Sequence, residues 1–183
     1  MNEGVSPVLV VPGLNGSGPA HWQSWIEGLI GAQRVHQDDW SRPDIDSWSA
    51  RVEAAIGAQA RPVWLVAHSF GCLASVVSAS RQPDRIAGAL LVAPASPDRF
   101  GITPRIPDTA LPFPAVLAAS RNDPWMKFMS AAYWAERWGA RLVDLGEAGH
   151  VNPESGHGPW PAGLELFRQL QASAPAVSGS LHD

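Results

Sequence analysis

"VWLVAHSFGCLASV", residues 63–76, passes from an apolar, β-branched run into a series of small residues, with His68, Ser69, Phe70 and Gly71 at the junction. The first part reads as a buried strand and the second as a helix, which puts Ser69 at a sharp turn between them. Two roles suit a serine there. It can be a nucleophile presented by a G-x-S-x-G elbow, or a polar N-cap whose hydroxyl serves the first turn of the helix. Small residues two before and two after a nucleophile relieve crowding at such a turn. Gly71 meets that need, whereas Ala67 carries one methyl more than the usual glycine. The stretch alone leaves both roles open, so the residues at the ends of the other strands must decide between them.

Short apolar runs alternate with amphipathic stretches along the chain, the pattern of βαβ units and a largely parallel sheet. Strands are predicted at 7–11, 33–37, 62–67, 85–93, 113–120 and 140–145. Residues 20–31 place Trp22, Trp25, Ile26 and Leu29 on one helix face, with Pro19 suited to the first turn. "SRPD" at 41–44 opens a helix carrying Ile45, Trp48, Val52, Ala55 and Ile56 on one stripe. A small-residue helix is predicted at about 70–80. A helix at 125–138 is expected to turn Trp125, Met129, Ala132 and Tyr133 inward. The last helix, about 160–171, aligns Trp160, Leu164, Phe167 and Leu170. Pro94, Pro97, Pro104, Pro107 and Pro112 mark residues 94–113 as an irregular loop. The expected architecture is one α/β domain over residues 1–171, a mostly parallel six-stranded sheet with helices on both faces. A loose tail is expected at 172–183.

Composition narrows the classes of function. A length of 183 residues suits a single domain with a sizeable core, and 45% apolar with 16% charged residues is a globular balance. The net charge is −4 and Lys127 is the only lysine, so no basic patch offers itself to nucleic acid. Cys72 is the only cysteine, which excludes an internal disulfide framework; it reads as a small buried helix residue. The start, "MNEGVSPVLVVPG", is acidic where a secretory signal is basic. No stretch approaches the ~18 apolar residues of a membrane span. The expectation is a cytoplasmic protein with neither membrane nor nucleic-acid partner. Nine tryptophans suit helix-to-sheet packing, with some free to rim a pocket.

Ligands of open α/β sheets bind beyond the carboxyl ends of the strands, so reactive residues should come directly after strands. Ser69 follows the third strand, Asp123 in "ASRNDPW" the fifth, and His150 in "LGEAGHVN" the sixth. The order Ser, Asp, His is that of α/β hydrolases. Each type has a chemical reason. A serine hydroxyl needs a base to become a nucleophile, imidazole titrates near neutrality, and a carboxylate fixes the imidazole tautomer and steadies the imidazolium. His157, seven residues beyond His150, is the main rival base; the ring of His68 should point away from Ser69. Asp144 and Asp98 are rivals to Asp123, whose other possible role is to cap the next helix. An oxyanion site requires two backbone N–H donors. Phe70 supplies one, and Leu14, with Asn15 next in order, the other, from the glycine-rich "PGLNGSGPAHW" at 12–22. That loop lacks the G-K-[ST] ending of a phosphate loop. The six histidines show no metal-binding spacing, so neither metal nor other cofactor is expected.

"VLVVPGLNGSGPAHWQSW", "VAHSFGCLAS", "ASRNDPW" and "GEAGHVNPESGHGPWPAG" together resemble the small, lidless α/β hydrolases related to retinoblastoma-binding protein 9, over about residues 7–171. The resemblance implies a serine hydrolase with Ser69, Asp123 and His150 as triad and carboxylesterase-like activity. It also implies that residues 94–113 stand where larger relatives insert a cap domain, leaving a shallow pocket near that loop, Phe70, Asn15, Trp22, Trp125 and Trp160. The L-x-C-x-E motif tied to retinoblastoma-type partners does not occur here, so no such partner is expected. The leading expectation is hydrolysis of a small ester, thioester or amide. A binding module that retains the fold, and an acyltransferase using the same triad, are the alternatives.

Overall fold

In the computed structural model, which describes residues 4–174, the apolar runs become strands β1 (Val8–Val11), β2 (Gln33–Arg34), β3 (Val63–His68), β4 (Ile86–Val92), β5 (Ala115–Ala119) and β6 (Arg141–Asp144). They form one sheet in the order β2-β1-β3-β4-β5-β6, parallel throughout. Five helices connect and flank them: α1 (Trp22–Ile30), α2 (Ile45–Gly57), α3 (Phe70–Arg81), α4 (Phe128–Trp138) and α5 (Pro161–Ser173).

Successive strand residues face opposite sides of the sheet, and the two cores obey that period. Leu9, Val11, Leu65, Leu91 and Leu117 pack with α2, α3 and α4 on one side. Val10, Val66, Leu90, Val92 and Val116 pack with α1 and α5 on the other. β3 is buried along its whole length, whereas edge strand β6 is largely exposed. The helices therefore cover both faces, as expected, and the strand ends that release Ser69, Asp123 and His150 all lie at the carboxyl end of the sheet.

Several details differ from the sequence reading. The fourth strand stops at Val92, because Ala93 takes a left-handed φ of 45°. The second strand is only two residues long, although the Val35 amide still donates to Val10 O. Residues 125–127 are not helical, and α4 begins at Phe128 with its phase set by Trp134 and Trp138. Those two indoles, with Ala131 and Ala135, take the core, and Met129 and Tyr133 face solvent. Two stacked tryptophans bury more apolar area than a methionine and a tyrosine, so they win the inward face. In α1, Leu29 is exposed and Gln23 takes an inward place. α5 continues to Ser173, past the predicted end at 171; the predicted tail from 175 onward lies outside the described residues. Between β4 and β5 the chain makes only two short 3-10 turns, Pro97–Phe100 and Thr103–Arg105, and no cap domain. No helix among the described residues is long and apolar enough to cross a membrane.

Candidate active site

β3 runs straight into α3, and Ser69 alone absorbs the change of direction, with φ 55° and ψ −126°. A left-handed φ at a residue with a Cβ costs of order 1–3 kcal/mol and persists only when the surroundings impose it. They do so here. The Ser69 amide donates to Val92 O at 3.1 Å, tying the turn to β4. The first turn of α3 lies on the end of β1, where a Cβ at Gly71 would fall 2.4 Å from Val11 O and 2.5 Å from Pro12 O. The glycine-rich loop closes the other side, for a Cβ at Gly13 would meet Ser69 Cβ at 2.8 Å and Phe70 N at 3.3 Å. Ala67 places its methyl in the core shared with α2 and α3, so packing accommodates the departure from glycine.

The N-cap role for Ser69 does not hold: its hydroxyl makes no capping bond to α3. Ser69 Oγ lies instead 2.9 Å from His150 Nε2. His150 Nδ1 is 3.0 Å from both carboxylate oxygens of Asp123. A carboxylate accepts, so Nδ1 carries the proton and Nε2 is left free to accept from the serine hydroxyl. The side chain of Asp123 is 2% exposed and that of His150 11%, so the carboxylate is shielded while the imidazole still reaches the cleft. Asp123 is not a helix cap, since α4 starts beyond it with Lys127 at the N-cap; its Oδ1 also accepts from the Trp125 amide at 2.9 Å.

The rivals are engaged elsewhere. His157 Nδ1 is 2.9 Å from Ser155 Oγ, Asp144 pairs with Arg121, and Asp98 accepts from the Thr103 hydroxyl. Asn15, in a left-handed turn at φ 64°, spends its amide on Trp40 O, whereas the amides of Leu14 and Phe70 have no protein acceptor among the described residues.

Leu14, Asn15, Ser69, Phe100, Trp125 and His150 line a cleft of about 350 Å³. Ala95 and Arg99 of the proline-rich loop and Asn152 and Glu154 of the opposite rim complete it. A second recess of about 280 Å³ continues past Ser69 and His150 toward Gly16 and Gly18. Ser69 and His150 thus stand between two hollows. Trp125, half exposed and 6.4 Å from the His150 ring, occupies the rim as expected. Trp22 and Trp160 do not line the cleft. They stack edge-on at 5.1 Å in the α1/α5 core, beneath the loop of His150, because α1, which carries Trp22, and α5, which Trp160 immediately precedes, cover the opposite face of the sheet. Phe70 also turns its ring into the core, against Trp48 and Phe100, and offers the cleft only its backbone.

Other residues support the site without any motif to announce them. Ser120 Oγ accepts from the Ala148 amide at 3.0 Å, and Asn122 Oδ1 accepts from the Gly149 amide at 2.8 Å, so the turn after β5 props the loop of His150. Buried Gln23 donates to Val11 O and Val66 O at 3.2 and 3.1 Å and accepts from Ser17 at 2.5 Å, lashing the glycine-rich loop to two strand ends. His68 lines the second recess together with Ser69, with its ring 4.8 Å from that of His150 and its Nε2 2.8 Å from His150 O.

Burial governs the protonation of the flanking groups. It lowers His21 to about 4, helped by the nearby charge of Arg34, and it holds His68 well below the usual imidazole range, helped by His150 and His21. Burial also pushes the thiol of Cys72 up, so this cysteine stays protonated in the core. Among the described residues no group of three or more His, Cys, Asp or Glu side chains could hold a metal ion.

A model of the serine hydrolase family matches residues 8–169. Among solved structures, a YdeN-like hydrolase from Pectobacterium atrosepticum is 42% identical with a TM-score of 0.88, over 92% of each chain. The YdeN gene product of B. subtilis is 19% identical with a TM-score of 0.76, over 92% of this chain and 100% of that one. Est1E from Butyrivibrio proteoclasticus, solved with ferulic acid bound, is 12% identical with a TM-score of 0.70, over 92% of this chain and 90% of that one, a likeness of fold alone. No curated protein matches the chain.

Proposed function

The chain belongs to the serine hydrolase family and has the α/β-hydrolase fold, and on that premise we propose that it cleaves a small ester, thioester or amide through an acyl-enzyme on Ser69. The observation that carries the reading is the unbroken hydrogen-bonded series from Asp123 through His150 to Ser69, opening into the cleft.

His150 Nε2 takes the proton of Ser69 as Oγ attacks the substrate carbonyl. Asp123 holds the ring in the required tautomer and stabilises the imidazolium. The amides of Phe70 and Leu14 receive the developing oxyanion; their lack of a protein acceptor among the described residues leaves them available for that task, and the amide of Asn15 is already engaged. The protonated His150 then delivers its proton to the leaving group, and the acyl-enzyme is hydrolysed by a water that His150 activates in turn. With no cap over the cleft, both recesses open to solvent, which favours water as the acyl acceptor, and a cleft of about 350 Å³ encloses a short acyl group more fully than a long one.

A panel of p-nitrophenyl esters of increasing chain length tests this. Turnover should be greatest for short acyl groups and should disappear in Ser69→Ala. Hydrolysis that survives this substitution would remove Ser69 from the mechanism, and a folded protein inert toward the whole panel would favour the binding-module alternative. Product analysis with competing alcohols or amines separates hydrolysis from acyl transfer.

A further inference from the structure

We propose that His68 and Trp22 are positioning residues for His150, two buried ring N–H donors that hold consecutive carbonyls of the loop carrying it. The inference rests on His150 being the general base. His68 Nε2 meets His150 O at 2.8 Å, and Trp22 Nε1 donates to Val151 O at 2.9 Å. A carbonyl only accepts, so His68 bears its proton on Nε2.

The loop needs such holding. Val151 sits at φ 50°, a left-handed conformation that a β-branched side chain resists. Left alone, the peptide between residues 150 and 151 would relax by rotating, and the His150 ring would swing with it. Four successive residues are tied against that rotation. The amides of Ala148 and Gly149 are held from the β5 side by Ser120 and Asn122. The carbonyls of His150 and Val151 are held from the opposite side by His68 and Trp22.

His68 has a particular advantage: it is the residue immediately before Ser69. One end of β3 therefore fixes both partners, with Ser69 Oγ meeting the His150 ring and the His68 ring gripping the His150 backbone. Any shift of the strand end carries base and nucleophile together, which preserves their separation. The surroundings keep the donor uncharged. The groups facing His68 are His21 at the start of α1 and His150 and His157 from the segment before α5, with Asp123 behind His150. The rings of His21 and Trp22 pack edge-on against it at 4.7 and 6.0 Å. Burial favours a neutral ring at His68, which therefore holds the His150 carbonyl as an uncharged donor.

The test compares the full chain with His68→Leu, His68→Gln and Trp22→Phe, on p-nitrophenyl acetate, with active sites counted by a fluorophosphonate. Displacement of a reacting group by about 1 Å costs up to about a hundredfold. For His68→Leu, kcat per titrated site should fall about tenfold to a hundredfold with KM unchanged. Gln, which can present an N–H near the same place, should restore most of the loss. Trp22→Phe removes the indole N–H together with part of a buried ring and should show a smaller fall in kcat, again at constant KM. The Phe and Gln variants keep the reading testable should the Leu variant not fold. Wild-type kcat per titrated site in His68→Leu or in Trp22→Phe, or a Gln variant no better than Leu, would overturn the inference. Failure of the wild-type chain to be labelled at Ser69 would instead overturn the reading of the triad on which it stands.

Discussion

Ser69 and His150 meet at 2.9 Å, yet they are held in place by different means. Ser69 leaves β3, buried between β1 and β4, and its backbone is forced into shape by direct contact with strand ends and the glycine-rich loop. His150 comes after β6, the exposed edge strand, in a loop whose amides donate to Ser120 and Asn122 and whose carbonyls accept from His68 and Trp22. Ser69 is fixed by close packing and His150 by a web of polar ties. Changes at the first should cost stability and activity together, and changes at the second should cost activity out of proportion to stability.

The largest effect falls where the two regions touch. Ser69→Ala should lower kcat roughly 10⁴- to 10⁶-fold with an unchanged fold by circular dichroism. Asp123→Asn, which disturbs the tautomer of His150 without emptying the site, should lose on the order of 10⁴-fold in steady-state assays.

The contrast itself is tested by a pair of variants. Gly71→Ala drives a methyl into the carbonyls of Val11 and Pro12, so thermal denaturation should show a loss of about 1–3 kcal/mol or more along with reduced activity. Asn122→Ala removes the acceptor for the Gly149 amide, at a cost of about 1 kcal/mol, but should lower kcat per active site about tenfold. Equal ratios of activity loss to stability loss in the two would erase the distinction.

The fold is legible in the sequence because its signal is repeated. Six apolar runs alternating with amphipathic stretches specify a parallel sheet, and the order Ser69, Asp123, His150 after strands three, five and six picks out three residues that the fold brings into one hydrogen-bonded series. The features that the sequence conceals depend on direction rather than residue type. Trp22, Trp125 and Trp160 are chemically alike, yet of the three only Trp125 reaches the cleft, because Trp22 lies on α1 and Trp160 at the entry to α5, and both helices cover the far face. The phase of α4 escapes a linear pattern because Trp125 fits the helical spacing, although the turn carrying Asp123 and Trp125 precedes the helix. Gln23 and His68 give no warning, since a buried polar tie to a carbonyl requires no spacing that a linear pattern would reveal.

A smaller effect comes from the flanking imidazoles. His21 titrates at about 4 in the folded chain instead of 6.5, and His68 is lowered as well. Between those pH values the unfolded chain binds protons at these rings that the folded chain refuses, so unfolding gains as pH falls. The melting temperature should drop as pH is lowered from 6.5 toward 4, and less steeply in His68→Gln. A fall of equal slope in both proteins would remove His68 from this effect. Least affected should be Cys72→Ala. The thiol is buried in α3, apart from the reacting atoms, so turnover should match the wild type and iodoacetamide should leave the native protein unmodified.

The central claim is that the packed turn and the tethered loop together make Ser69 a nucleophile. Mass spectrometry of the intact chain after exposure to a fluorophosphonate, with the adduct mapped by proteolysis, tests it most directly. A single adduct on Ser69, formed far more slowly in His150→Ala and absent in Ser69→Ala, is the predicted result. An unmodified, folded wild-type chain, or an adduct that forms as fast without His150, would contradict it.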